Sequence, residues 1–220
     1  MTSDEPDPFH LDVARVALAV ARRYGFVLGG GLAWVLRGLV HRPTEDVDLF
    51  STVGGAAAAA AGGVRAALRA AGYTVVDEDG DGDLGSLFAG FTADQKEFVV
   101  GDGRRTVRLS LSRLDRRRSP VVMEVGPGMH LDDLVATKVA ALVNRREVRD
   151  YIDVAAALDR YPVERLLALA RRQDPGLDQE DILDVGAYLD RLDDRRFAFY
   201  GLTPDQTAQV RRQLARWPRR

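Results

Sequence analysis

The apolar pattern of this chain changes its period once, at about residue 126, and that change constrains the fold more than any other feature. Before it, short apolar runs of strand length alternate with helical stretches. After "GPG" (126–128) every pattern from His130 to Arg216 has helical spacing, at about 131–143, 149–160, 163–172, 178–192 and 203–216. Strands confined to the first half predict an α/β N-terminal lobe over residues 1–126 and an all-α helical lobe over 127–220, with the seam at Gly126–Gly128.

Within the first lobe, Phe9, Val13, Val16, Ala17, Val20, Ala21 and Tyr24 mark a helix over 9–24 that Gly25 stops. "FVLGG" (26–30) reads as a short buried strand turning into a helix at Leu32–Leu39, which Pro43 and Thr44 break. "DVDLF" (46–50) is the next strand. The alanine-rich stretch 54–72 is a helix closed by Gly72. "YTVV", "SLFAGFT" (86–92), "KEFVVGD" and "RTVRLSLS" follow as strands, with "GDG" (101–103) a turn and "PVVMEV" the last strand.

The 220 residues are enough for a real core. With no cysteine, disulfides, thiolate zinc sites and cysteine nucleophiles are excluded, which fits a reducing, cytoplasmic setting. "MTSDEPDPF" is acidic and lacks the basic region of a signal peptide. Arg22, Arg23 and Arg37 interrupt the longest apolar region, so no membrane span is expected. The net charge of −2 is uneven: residues 1–100 carry −6 and residues 101–220 carry +4, a mild basic bias that suits phosphates. Only Lys96 and Lys138 among 31 basic residues are lysines, so a lysine inside a helix marks a place for a compact ammonium.

The chemistry concentrates at "FVLGGGLAWVLRGLVHRPTEDVDLF" (26–50). On a strand Asp46 and Asp48 project to one face, where two carboxylates repel unless a cation lies with them. A hard divalent ion such as Mg²⁺ or Mn²⁺ takes one or two carboxylates plus substrate phosphates, and two-metal phosphoryl-transfer sites use such pairs. A solvated strand edge is the plain alternative, but Val47, Leu49 and Phe50 interleave with the aspartates and make the strand half buried. Gly29, Gly30 and Gly31 follow a strand and open a helix, where bare backbone lets a phosphate approach. Arg42 and Thr44 flank the carboxylates as candidates for phosphate contact or loop ordering.

Lys138 lies among Leu134, Val135, Val139 and Leu142, so it needs an anion partner or must snorkel. On one continuous helix Asp153 would lie about 60° around from it and Asp150 about 120°, an arithmetic that "NRREV" (144–148) interrupts if it breaks the helix. Arg149 and Asp150 would also serve as a simple ion pair or cap.

"GGGLAW" followed by "RPTEDVDLF" resembles the first motif of the DNA-polymerase-β-like nucleotidyltransferase superfamily, a glycine corner followed by Asp-x-Asp. "LDDLVATKVAALVNRREVRDYIDVAAAL" (131–158) is similar to the Lys-x-x-Ala-Leu and Arg-Asp-x-x-Asp block of the AbiEii/AbiGii-type nucleotidyltransferase toxins, including the mycobacterial MenT group. The two blocks cover about 55 residues. The resemblance implies a mixed sheet in the first lobe. It implies that Gly29 and Gly30 hold the triphosphate corner, that Asp46 and Asp48 bind the metal ions, and that Lys138 contacts the NTP. Asp153 would complete the site from the helical lobe, with Asp150 the competing choice. Thr44 falls where the toxins carry Ser or Thr, a position that some antitoxins phosphorylate. It further implies transfer of a nucleotide from an NTP to an RNA acceptor, the tRNA 3′ end in the mycobacterial relatives, with inhibition of translation and a cognate antitoxin.

Many superfamily members carry a third carboxylate on a later strand. Here the matching strand is "TVRLSLS", which offers Ser110 and Ser112, with Glu124 the nearest acidic alternative. Two other readings stay open: a small-molecule, antibiotic-type nucleotidyltransferase, and a non-catalytic binding module. "DEDGDGD" (77–83) resembles a calcium loop but has Phe88 where the bidentate Glu belongs, and reads as an acidic turn. "RLDRRR" (113–118) suits RNA phosphates or a solvated loop equally. His10, His41 and His130 are too scattered for a metal set, and Trp34 and Trp217 read as packing residues.

Overall fold

The computed structural model describes residues 6–78 and 93–219. The strand expected over 86–92 and most of the acidic turn at 77–83 lie outside the described residues. Two compact units emerge, one comprising Glu5–Leu36 with Pro43–His130, the other Arg37–Arg42 with Leu131–Arg220.

The first unit is built on a seven-stranded mixed sheet: β1 Val27–Leu28, β2 Asp46–Ser51, β3 Thr74–Asp77, β4 Gln95–Gly101, β5 Thr106–Arg113, β6 Val121–Met123 and β7 Gly126–Gly128. Their lateral order is β3-β4-β5-β2-β1-β7-β6. β2 runs parallel to β5, and β1 parallel to β7; the other neighbours are antiparallel. Helix α1 (Pro8–Ala21) starts with Asp7, whose carboxylate accepts from the Phe9 N–H, and Pro8 supplies a preset first turn. A 3₁₀ turn (Arg22–Tyr24) follows and ends at Gly25, whose φ of 78° only glycine adopts readily. Helices α2 (Gly30–Leu36) and α3 (Ala56–Ala70) complete the unit.

α1 packs on α3, and both pack on the central strands. The face they cover carries the alternate apolar residues Val47, Leu49, Phe98, Val100, Val107, Leu109 and Leu111, all buried. The opposite face of the same strands carries Asp46, Asp48, Phe50, Glu97, Ser110 and Ser112, all half-buried. A period of two thus sorts core from chemistry. Gly126–Gly128, expected as the seam, is strand β7 and pairs with Leu28. A Gly-Pro-Gly sequence reads as loop, yet Gly128 lies so close to Met123 that a Cβ there would meet its Sδ at 1.9 Å and force that side chain to shift.

The second unit is helical: α4 Leu131–Arg145, α5 Val148–Ala157, α6 Val163–Gln173, α7 Gln179–Arg191, the short α8 Arg195–Ala198 and α9 Pro204–Leu214. α4 packs against α5, α6 and α7, and α5 against α8 and α9. Thr203 and Gln206 form a reciprocal capping box at the start of α9. α4 ends because Arg146 turns to a φ of 55°. Trp34 and Trp217 are both buried packing residues. No helix among the described residues is long and apolar enough to cross a membrane.

Candidate active site

In the sheet unit the glycine corner and the Asp-x-Asp strand meet directly. The Gly29 N–H donates to the Asp48 carbonyl at 2.9 Å. A Cβ on Gly30 would lie 1.8 Å from Asp48 Oδ2, and one on Gly29 would lie 2.5 Å from the Phe50 ring. Gly30 also holds a φ of 58°. So the glycines are dictated first by the side chains of β2, with Asp48 seated over bare backbone. Gly30→Ala should displace that carboxylate and add about 1–2 kcal/mol of left-handed strain. Gly62, inside α3 with open space around its Cβ position, is the control. Gly62→Ala should raise the unfolding midpoint, by about 0.5–1 kcal/mol of stability, while Gly30→Ala lowers it; thermal melts of both variants decide.

Asp46 and Asp48 are half-buried on one face of β2. Their parallel partners on β5 are Arg108 and Ser110. Ser110 therefore stands beside Asp48, where a third carboxylate would stand, and its hydroxyl lies 2.9 Å from that of Ser112. On the far side of Ser110, β4 places Glu97, a carboxylate on the same face that "KEFVV", two polar residues followed by three apolar ones, gives no alternation to reveal. Glu124 lies elsewhere: it sits in the turn between β6 and β7, 63% exposed, 3.5 Å from Arg15. β1 separates its hairpin from β2. Among the described residues no three acidic or histidine side chains converge as a metal set. The Asp46–Asp48 pair is still a donor set suited to an octahedral ion that completes its shell with water and phosphate.

Thr44 lies 3.4 Å from His10 Nδ1. Burial lowers the His10 pKa below 6.5, against the opposing pull of Asp7 and with Arg105 assisting the drop. A depressed histidine pKa makes the unfolded chain the better proton acceptor. Its contribution to stability is therefore complete above about pH 6.5 and is lost as pH falls towards the folded value. His10→Gln should flatten the pH dependence of the unfolding midpoint between pH 7.5 and 5 (the range is about that of ordinary histidine titration).

The helical unit holds a buried ionic network. Asp150 and Asp153 are both 0% exposed. Arg42 grips Asp153 with two bonds, Nε to Oδ1 at 2.8 Å and Nη2 to Oδ2 at 2.7 Å. Lys138 Nζ lies 2.9 Å from Asp153 Oδ2 and 3.7 Å from Asp150 Oδ1. Arg145 makes a matching two-bond clamp on Asp150 at 2.7 and 2.9 Å. Burial works to raise the Asp153 pKa, but the Lys138 charge and the Arg42 hydrogen bonds overcome it and leave it low. Burial likewise works to lower the Arg42 pKa, and Asp153, with Asp150 and Tyr200 adding, leaves it raised. Two buried carboxylates thus hold three cations, and Arg145 also lies 3.9 Å from Glu147. Lys138 finds its anion partner, as its apolar helix demanded. The helical-wheel arithmetic does not explain it, because the break at Arg146 puts Lys138 and the aspartates on different helices.

Residues 13–180 match the family model described as the nucleotidyl transferase AbiEii toxin of type IV toxin–antitoxin systems. The chain belongs to this family. As a member of the AbiEii family it is a toxin-type nucleotidyltransferase, and an antitoxin partner goes with that membership. A comparison with curated proteins gave no match. Among solved structures the AbiEii chain is similar to JHP933 of Helicobacter pylori, at 16% identity and a TM-score of 0.59, over 96% of this chain and 92% of that one. A second H. pylori structure, titled a putative nucleotidyltransferase, aligns at 17% identity and 0.57 over 94% and 92%. The nucleotidyltransferase toxin MenT4 of Mycobacterium tuberculosis H37Rv aligns at 17% identity and 0.52 over the same shares. At these identities the structures speak for a shared nucleotidyltransferase fold.

Proposed function

We propose that this AbiEii chain transfers a nucleotide from an NTP to an RNA acceptor, with the 3′ end of tRNA as the acceptor the resemblance favours, and that it thereby blocks translation in the cytoplasm. The observation that carries this reading is the pair Asp46 and Asp48 on one half-buried sheet face, with Asp48 seated over the Gly30 backbone. These carboxylates would hold Mg²⁺ or Mn²⁺, which when bound would neutralise phosphate oxygens and favour in-line displacement. The acceptor hydroxyl attacks the α-phosphorus, a new O–P bond forms as the hydroxyl proton leaves, and the α–β anhydride breaks to release pyrophosphate. The resemblance gives Gly29 and Gly30 the triphosphate corner, where their bare backbone also seats Phe50 and Asp48. The resemblance gives Lys138 the contact with the NTP; in the helical unit it shares Asp153 with Arg42, and Asp153 fixes both cations rather than offering a free base. Asp150 does the same for Lys138 and Arg145. Catalysis is then mostly positioning and electrostatics.

The test incubates the purified chain with Mg²⁺, total tRNA and each NTP in turn, labelled at the α-phosphate, beside Asp46→Ala. Label on RNA that chelation and Asp46→Ala both abolish supports the reading. Label appearing only on an added aminoglycoside would instead favour the small-molecule reading, and equal labelling by Asp46→Ala would refute the metal role of this pair.

A further inference from the structure

The sheet unit holds a carboxylate that the proposed reaction leaves unused. On the open face of the sheet, β2, β5 and β4 set Asp48, Ser110 and Glu97 in one row. Neighbouring strands lie about 4.8 Å apart, so the Cα atoms of Asp48 and Glu97 are roughly 10 Å apart. A carboxylate one strand nearer would join Asp46 and Asp48 around one cation. Glu97 stands beyond that, and among the described residues no third acid converges on the pair. Ser110, which lies between, is small, and its hydroxyl meets that of Ser112 at 2.9 Å. Two carboxyl groups held about 6.5–9.5 Å apart leave room for one reacting oxygen between them, the arrangement that inverting glycosidases use.

The surroundings of Glu97 suit a proton acceptor. The residue is half-buried. Among the described residues its one side-chain hydrogen bond comes from the neutral Gln95 amide, Nε2 to Oε1 at 2.7 Å, and no cation pairs with it. Arg108, on the same face of β5, gives two bonds to Glu78, at 2.7 and 3.2 Å, and feels Asp46 and Glu97 only through space. The other acids are engaged or elsewhere. Asp153 is clamped by Arg42 and Lys138, and Asp150 by Arg145. A cation against a carboxylate weakens it as a base. Glu124 lies in the turn between β6 and β7, beside Arg15.

We propose that Glu97 accepts the proton of the attacking hydroxyl of the acceptor RNA. The assignment rests on the transferase reading above. The hydroxyl lies over Ser110. Its proton passes to a Glu97 carboxylate oxygen as its own oxygen bonds to the α-phosphorus, and the α–β anhydride breaks with the electron pair leaving on pyrophosphate. The test measures single-turnover transfer from each α-labelled NTP to total tRNA by the wild type, Glu97→Gln, Glu97→Ala and Glu78→Gln, with RNA and NTP binding titrated alongside. Glu97→Gln keeps its shape and its bond from Gln95 but takes no proton. Its rate should fall by about 10²- to 10⁴-fold, the usual contribution of a positioned base, with both affinities and the unfolding midpoint unchanged. Formate should restore part of the rate in Glu97→Ala and none in Asp48→Ala, a response that a merely structural residue would not give. Glu78→Gln should keep the wild-type rate. An unchanged rate in Glu97→Gln overturns the assignment, as does a loss that formate leaves in place. An equal loss in Glu78→Gln would trace the effect to the charge of the face and overturn it too. Each of these failures leaves the transferase reading intact, whereas a wild type that labels no RNA removes that reading and the assignment together.

Discussion

Replacing Asp153 by asparagine should cost this protein about 3–5 kcal/mol of stability, the usual penalty for leaving a buried charge without its partner. At about 2–4 °C per kcal/mol for a chain of this size, the unfolding midpoint falls by roughly 6–20 °C. The reason is geometric. Asp153 is the joint acceptor for Arg42 and Lys138, and all three side chains are buried. An amide carries no charge to answer two cations, so both would lose their shortest ion pair while still buried. Asp150→Asn is the informative comparison. Asp150 is equally buried, but the Arg145 that clamps it is 42% exposed in its side chain and can turn to water, while its Lys138 contact is 3.7 Å. The Asp150 variant should therefore melt above the Asp153 variant. The reverse order would show that Asp150, not Asp153, anchors the network. The low Asp153 pKa adds a pH signature: its stabilisation is full above the ordinary carboxylate value of 3.8 and is lost as pH falls through the lower folded value.

Asp48→Asn should have the opposite profile: no loss of stability and no activity. Asp46 and Asp48 share one face of β2, so their like charges oppose each other, and removing one relieves that repulsion. The amide keeps the shape that fills the space over Gly30. Transfer should nevertheless fall by at least about a thousandfold, because losing a charged ligand outweighs losing an outer-shell partner, which already costs about 10- to 100-fold. Rates measured beside thermal melts check both halves. A variant that melts lower and keeps its rate would make Asp48 a structural residue.

The elements that could be read from the sequence are those whose periodicity is local. The helices after residue 130 and the alternation in β2 and β5 follow from which residues must leave water, and the structure places them within a few residues of the reading. Strand β7 was not legible, because Gly126–Gly128 has no apolar pattern and is specified by its partner Leu28. The site divides in the same way. Asp-x-Asp beside a glycine corner is visible in sequence, but the reason for Gly30, the carboxylate lying on it, is a tertiary contact. That Lys138 needed an acid was legible from its apolar helix. That Arg42, far away in the chain, shares the same acid was not, since no spacing rule links residues 111 positions apart. The angle that set Asp153 nearer to Lys138 held only for one continuous helix, and Arg146, inside "NRREV", breaks it; the Lys138–Asp153 contact is made between two helices. Glu97 escaped notice because its row, through Ser110 to Asp48, exists only once three strands are in register.

In the proposed reaction Asp46 and Asp48 serve to break the α–β bond of an NTP and join the α-phosphate to RNA. The most direct measurement follows pyrophosphate release and α-label incorporation together, in the wild type and in Asp48→Asn. One pyrophosphate is expected for each nucleotide joined to RNA, with both signals gone in the variant. Label reaching RNA from the γ-phosphate without pyrophosphate, or equal incorporation by Asp48→Asn, would contradict it.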